Sequence, residues 1–77
     1  QNFTNIIIYP NPVVDSLTIV DNSGEIKEVE LFNVLGSEIY NNKFINTACV
    51  DFSHFSSGIY ILRVGGINGY FKKIIKN

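Results

Sequence analysis

Short apolar runs alternating with polar residues, broken about every eight to twelve positions by Gly, Asn, Ser or Pro, constrain this chain more than anything else in it. A side-chain period of two belongs to strands with one face buried, and no stretch carries the 3.6-residue period of an amphipathic helix. Strands are expected over Asn5 to Tyr9, Ser16 to Val20, Lys27 to Val34, Glu38 to Tyr40, Thr47 to Phe52, Ile59 to Val64 and Tyr70 to Lys76. Turns are expected at Pro10 and Pro12, at Asn22-Ser23-Gly24, at Gly36, at Asn41-Asn42 and, as a two-residue hairpin, at Asn68-Gly69. Seven strands in 77 residues leave no room for helical crossovers, so the fold is read as all-β: two small antiparallel sheets packed about 10 Å apart.

The alternation also assigns faces. Leu17 and Ile19 point one way against Ser16 and Thr18, and Ala48, Val50 and Phe52 share a side, which turns Cys49 away from the core. Tyr60, Leu62 and Val64 share a face, and Arg63 marks the opposite one as solvent-facing. The third strand is ambiguous, because Val29 and Leu31 lie on one face and Phe32 and Val34 on the other.

Size and charge exclude several functions. A chain this short forms one domain, burying roughly 60% of the surface exposed when unfolded. With 45% hydrophobic and 17% charged residues it is too apolar for disorder and too evenly interrupted for a membrane span. A formal net charge of -1, with basic residues scattered, offers no footprint for nucleic acid. One cysteine allows no internal disulfide, and no metal-ligand spacing accompanies it. A start at Gln1 with no methionine reads as a piece of a longer precursor, with residues 1–5 a linker remnant and 6–77 the domain. Gln1 to Thr4 is the segment expected to be disordered.

No constellation for catalysis is visible. His54 sits among Ser53, Ser56 and Ser57, but neighbours in a corner seldom face one another, and no orienting carboxylate can be named. Glu25, Glu28, Glu30 and Glu38 read as ordinary surface charges rather than a desolvated acid and base pair. Asp15, Asp21 and Asn22 lack the spacing of a calcium loop. The expectation is therefore a non-enzyme with no catalytic residues, no metal, no cofactor, no nucleic acid partner and no small-molecule substrate.

Two local features stand out instead. Tyr60, at the start of the penultimate strand and just after a corner, occupies the place where immunoglobulin-like sandwiches bury a tyrosine whose hydroxyl bonds back to the backbone upstream. Gly58 supplies a permissive backbone before it and Phe55 an apolar plug. In Tyr9-Pro10-Asn11-Pro12, two prolines fix φ, Asn11 can close an Asx turn, and Tyr9 can stack on the bend. A rigid bend of this kind serves as a corner or as a docking surface, since little entropy is lost when it is bound.

In order along the chain, these signatures resemble the C-terminal sorting domains of type IX secretion cargo (type A), and the resemblance runs from Tyr9 to Lys76. The bend Tyr9-Pro10-Asn11-Pro12 is followed by Asp15, Leu17 and Ile19 in the manner of an Asp-x-Leu-x-Ile strand, offset by one from the simplest spacing. Val29 to Gly36 matches an apolar strand ending in a glycine turn. Asp51, Ser53, Gly58 and Tyr60 match an Asp-x-Ser-x-x-x-x-Gly-x-Tyr corner, and Lys72, Lys73 and Lys76 a lysine-containing final strand.

The resemblance implies an immunoglobulin-like antiparallel β-sandwich of about seven strands that follows an upstream cargo domain through the periplasm. It implies recognition by the type IX translocon and an outer-membrane shuttle protein, removal by a sortase-like peptidase, and a cargo ending at the cell surface or secreted in Bacteroidota-type bacteria. The recognition motif it implies is Tyr9, Pro10, Asn11, Pro12, Gly58, Tyr60, Lys72, Lys73 and Lys76. Physically, Tyr70 to Lys76 would act as an edge strand whose unpaired backbone and lysine row accept strand addition, with the proline bend as a second contact. The alternative is an adhesion or carbohydrate-binding module of immunoglobulin or fibronectin type, which an exposed platform of Tyr40, Phe44 and Tyr70 would support.

Overall fold

The period-two runs become seven strands in a computed structural model, which describes residues 6–77. They are β1 (Ile6–Tyr9), β2 (Ser16–Asp21), β3 (Ile26–Phe32), β4 (Glu38–Ile45), β5 (Thr47–Asp51), β6 (Gly58–Val64) and β7 (Tyr70–Lys76). No helix occurs among the described residues. The expected disordered stub, Gln1 to Thr4, and the Asn5 end of the first expected strand lie outside them.

One sheet has the order β1-β2-β5 and the other β4-β3-β6-β7, with every neighbouring pair antiparallel. The fourth strand lies beside the third rather than joining the first sheet, the place an added strand takes next to strand C in immunoglobulin variable domains. Between the sheets, Val13, Leu17, Ile19, Val50 and Phe52 meet Val29, Leu31, Leu62, Val64 and Ile74, all fully buried. At about 1.5–3 kcal/mol for each such side chain, this layer is the main source of stability. It settles the ambiguity of the third strand: Val29 and Leu31 face inward.

Four expectations are corrected. Asn41-Asn42 is not a turn: β4 continues through it, with Asn42 paired to Val29, because the continuation brings Tyr40 and Phe44 against the core. The reversal comes at Asn46, whose φ of 67° is one that asparagine tolerates and whose carbonyl accepts the Asp21 N–H at 2.7 Å. The third strand stops at Phe32, not Val34. There the Asn33 side-chain oxygen accepts N–H bonds from Leu35 and Ser37, both at 3.0 Å, and this Asx-type turn leaves Val34 and Leu35 in solvent.

Asn68-Gly69 is likewise no two-residue hairpin, since Val64 pairs with Tyr70 across a loop over residues 65–69. The left-handed positions are Gly65 and Gly66, while Gly69 is needed for close approach, because a Cβ there would strike the carbonyl oxygens of Val64 and Gly66.

The fourth correction is Glu30, which is not a surface charge. It is 6% exposed and accepts a 2.7 Å bond from the Arg63 Nε across the sheet, where the cross-strand register sets the two opposite each other. That hydrogen bond holds the Glu30 carboxyl below its ordinary value despite burial. A second ion pair, Lys27 with Asp21 at 3.0 Å, is buried at the end of the sandwich, and Ser23 bonds to both partners. Burial alone would push the Asp21 carboxyl up, but the Lys27 and Ser23 hydrogen bonds outweigh it and hold it down.

Candidate recognition site

Tyr9 ends β1, and the chain then bends through Pro10, Asn11 and Pro12, with cis peptide bonds before both prolines. The bend is fastened to the last strand. The Asn11 carboxamide donates to the Lys73 carbonyl at 2.9 Å and accepts the Ile75 N–H at 3.0 Å, as the backbone of a neighbouring strand would. Two residues on, the Val13 N–H bonds the Ile75 carbonyl at 2.8 Å and the Val13 carbonyl accepts the Asn77 N–H at 2.9 Å, forming a parallel bridge between Val13 and Lys76. Lys76 in turn pairs with Gly58 on its other side. Signatures from the start, middle and end of the sequence therefore meet at one corner.

This arrangement corrects the picture of β7 as an open edge. It is the terminal strand of its sheet, but the Lys73 carbonyl, both backbone groups of Ile75 and the Asn77 N–H are already bonded by Asn11 and Val13. By the alternation of ladder groups, only those of Phe71 and the Lys73 N–H remain open among outward positions. The proline bend is thus part of the same surface as the final strand, not a separate contact.

The lysines do not form one row either. Lys72 and Lys76 share the side of buried Ile74, whereas Lys73 lies on the outer face with Phe71 and Ile75, as a period of two requires. On that outer face the Arg63 guanidinium stacks over Phe32 at 5.0 Å and Phe71 at 5.8 Å, bordered by Ile59 and Ile61.

Tyr60 lies inside the corner, 8% exposed. Its hydroxyl donates to the Ser56 carbonyl at 2.6 Å, the backbone bond expected of a tyrosine corner, and its ring meets Phe52 edge-on with centroids 5.7 Å apart. Gly58 has a φ of 146°, in the range that favours glycine. Asp51 caps the same corner by accepting the Ser53 N–H at 2.9 Å, and Ser53, through its side chain first and this N–H second, holds the Asp51 carboxyl below the ordinary value. Of the nine motif residues, Tyr9 to Pro12, Gly58, Lys73 and Lys76 gather at the corner, Lys72 lies farther along β7, and the Tyr60 side chain faces the core.

Other candidates disperse. The Asp21 carboxylate is taken by Lys27 and Ser23. Tyr40 and Phe44 pack against the core, so the aromatic platform with Tyr70 is not formed. Cys49 is exposed, as its strand position implied. What sequence reasoning missed was Val13 and the reach of Asn11, because no local pattern reports a partner on the last strand.

Residues 7–77 match the family model described as the secretion system C-terminal sorting domain. The chain belongs to that family. It is also 34% identical over 67 residues to ulvan lyase NLR42 of Nonlabens ulvanivorans, covering 83% of this chain and 12% of that protein. The chain thus spans a small part of the length of the relative it matches. As a sorting domain it is a C-terminal signal for type IX secretion, which moves proteins across the outer membrane to the cell surface or into the medium. The family's role is sorting, not catalysis.

Proposed function

We propose that the corner formed by the proline bend and the final strand is the surface the export machinery reads. The observation that carries this reading is the Asn11 carboxamide held between Lys73 and Ile75, which fixes the bend, half-exposed Tyr9 and the adjoining lysines as one rigid unit. A pre-formed epitope loses little conformational entropy when bound, and its lysine charges suit an acidic counterpart. The type IX translocon and its outer-membrane shuttle protein are the partners of this surface. Transit is through the periplasm, behind an upstream cargo domain that a sortase-like peptidase later frees. The likeness to an ulvan lyase supports a secreted enzyme as that cargo.

Truncation is a poor test, because removing β7 also removes buried Ile74 and one of the two strands that pair with β6. The better test fuses the 77 residues to the C terminus of a foreign periplasmic reporter in a type IX-competent bacterium and follows surface exposure by protease accessibility. The parent fusion is expected at the surface, and a Lys72→Glu, Lys73→Glu, Lys76→Glu fusion in the periplasm with the domain still folded. Equal export of the two would remove the lysines from the epitope.

A further inference from the structure

Four strands border the two sheets, and they are not equally protected. The β7 border is occupied by Asn11 and Val13, β1 is four residues long and β5 five, whereas β4 runs eight residues from Glu38 to Ile45. No residue outside β3 pairs along it among the described residues.

The direction of its free groups follows from the ladder. The Gly65 N–H donates to the Glu28 carbonyl at 2.8 Å, so the backbone groups of Glu28 face β6. By alternation those of Val29 and Leu31 face β4 and engage their partners Asn42 and Tyr40, which turns the groups of Asn41 and Lys43 outward. The Lys43 N–H confirms this: lacking a strand partner, it is taken by its own neighbour, the Asn42 side-chain oxygen, at 2.9 Å.

Read from its centre, β4 is nearly the same in both directions. About Asn42 the sequence Ile39-Tyr40-Asn41-Asn42-Lys43-Phe44-Ile45 sets isoleucine against isoleucine, aromatic against aromatic and polar against polar. We infer that β4 is a self-pairing edge through which two copies of this chain join their four-stranded sheets antiparallel about a two-fold axis at Asn42. In that register Asn41 and Lys43 of opposite copies exchange ladder bonds through the outward groups identified above. Tyr40 meets Phe44, Ile39 meets Ile45, and Asn42 faces its own copy. A two-fold axis normal to a continuous sheet requires paired residues to lie on the same face, and this register satisfies it for the central pairs from Tyr40 to Phe44.

Two further features fit a second copy. Ile45, 52% exposed, borders a shallow apolar recess with Ile26 and Phe44, which the opposing Ile39 enters. The register shift opposite Leu31 and Phe32 makes Ile39 the extra, unpaired residue of a bulge at the start of β4, so the pairs from Tyr40 to Ile45 are regular and Ile39 sits at the irregular end. Of the devices that blunt borders, the strand carries one lysine, one glutamate and the bulge at Ile39 near its start, and no proline.

The test is sedimentation equilibrium of the 77-residue chain over a wide concentration range. A mass rising from 8.7 kDa to twice that value is expected. An Ile39→Lys, Ile45→Lys variant sets like charges opposite each other across the axis and is expected to stay monomeric with an unchanged circular dichroism spectrum. An Ile39→Glu, Ile45→Glu variant is expected to stay monomeric alone and to form a heterodimer when mixed with the lysine variant. In a Cys49→Ser background, Asn42→Cys is expected to give a disulfide-linked dimer on mild oxidation, since non-hydrogen-bonded antiparallel partners sit about 4.5 Å apart at Cα. Leu35→Cys, on the exposed turn, serves as the control. A monomer at every concentration, or crosslinking of Asn42→Cys no faster than that of Leu35→Cys, overturns the inference and leaves the edge to a strand of another protein.

Discussion

Asn11 and Lys73 lie 62 positions apart in the chain, yet the Asn11 side-chain nitrogen sits 2.9 Å from the Lys73 carbonyl. With the Ile75 N–H bonded to the other end of the same carboxamide, one side chain stands in for a residue of a neighbouring strand. It closes the border of the sheet at the point where the lysines begin. It also ties the first structured turn to the last strand, so the ends of the domain are ordered together.

Replacing Asn11 by Ala removes both bonds and is expected to cost about 1–2 kcal/mol, read as a lower urea midpoint with an unchanged slope. Asn11→Asp retains an acceptor for the Ile75 N–H but loses the donor to Lys73, so its deficit is expected to be smaller. That deficit should narrow below about pH 4, where a protonated carboxyl can donate to the carbonyl again. A deficit for Asn11→Asp that does not change with pH would mean the Lys73 bond contributes nothing.

The Tyr60 hydroxyl tests whether the corner is a structural pin. Tyr60→Phe loses the bond to the Ser56 carbonyl while keeping the ring against Phe52. A loss of about 1 kcal/mol is expected, lowering the melting temperature by about 4–8 °C. Export of a fused reporter well below that temperature is expected to match the parent. Export falling while the domain stays folded would make Tyr60 a recognition contact.

How much of this was legible depended on the range of the interaction. Leu17, Ile19, Tyr60, Leu62 and Val64 were placed on their buried faces by alternation alone, because a period of two is a local consequence of strand geometry. Asn41-Asn42 and Asn68-Gly69 misled because turn propensity is also local. In the first case the burial of Tyr40 and Phe44 overrode it, and in the second the reversal had already begun at Gly65 and Gly66. Glu30 and Lys27 carry side chains that belong in water, and only the cross-strand register that brings Arg63, and the turn that brings Asp21, makes their burial tolerable. At the candidate site the motifs were legible as separate signatures. Their union through Asn11 and Val13 was not, since it depends on contacts spanning nearly the whole chain.

The two uses of glycine in the turns should separate on mutation. At Gly69 an added Cβ meets backbone oxygens of Val64 and Gly66 that have no freedom to retreat, so Gly69→Ala is expected to destabilise by about 1–3 kcal/mol or more. At Gly24 nothing lies within 4 Å of the added atom, and only the φ of 80° opposes it. Gly24→Ala is expected to cost about 1–2 kcal/mol and Gly24→Asn less, because asparagine enters the left-handed region more readily. Thermal melts of the three variants check the order. Gly69→Asn should give no such relief.

The buried ion pairs set the pH dependence. Asp21 and Glu30 have folded pKa values below their ordinary 3.8 and 4.5, so in acid the folded chain binds fewer protons than the unfolded one. Their contribution is complete above those ordinary values and is lost as pH falls through the depressed ones, so stability should decline below about pH 4.5. Glu38 has the opposite sign: the neighbouring Glu30 carboxylate raises its pKa, so its contribution is present below 4.5 and fades as pH rises through the raised value. Glu38→Gln should therefore steepen the net acid decline. Lys27, raised above 10.5 chiefly by its bond to Asp21, adds an alkaline limit, with stability lost as pH rises through its folded value. Asp21→Asn should flatten the acid limb and cost up to about 3–5 kcal/mol at neutral pH, because it leaves the buried Lys27 ammonium with only the exposed Glu25 carboxylate, 3.6 Å away, as counter-charge. Adding Lys27→Met should recover most of that cost, and urea titrations across pH measure both effects. A double variant as unstable as the single one would show that the pair is needed for more than charge balance.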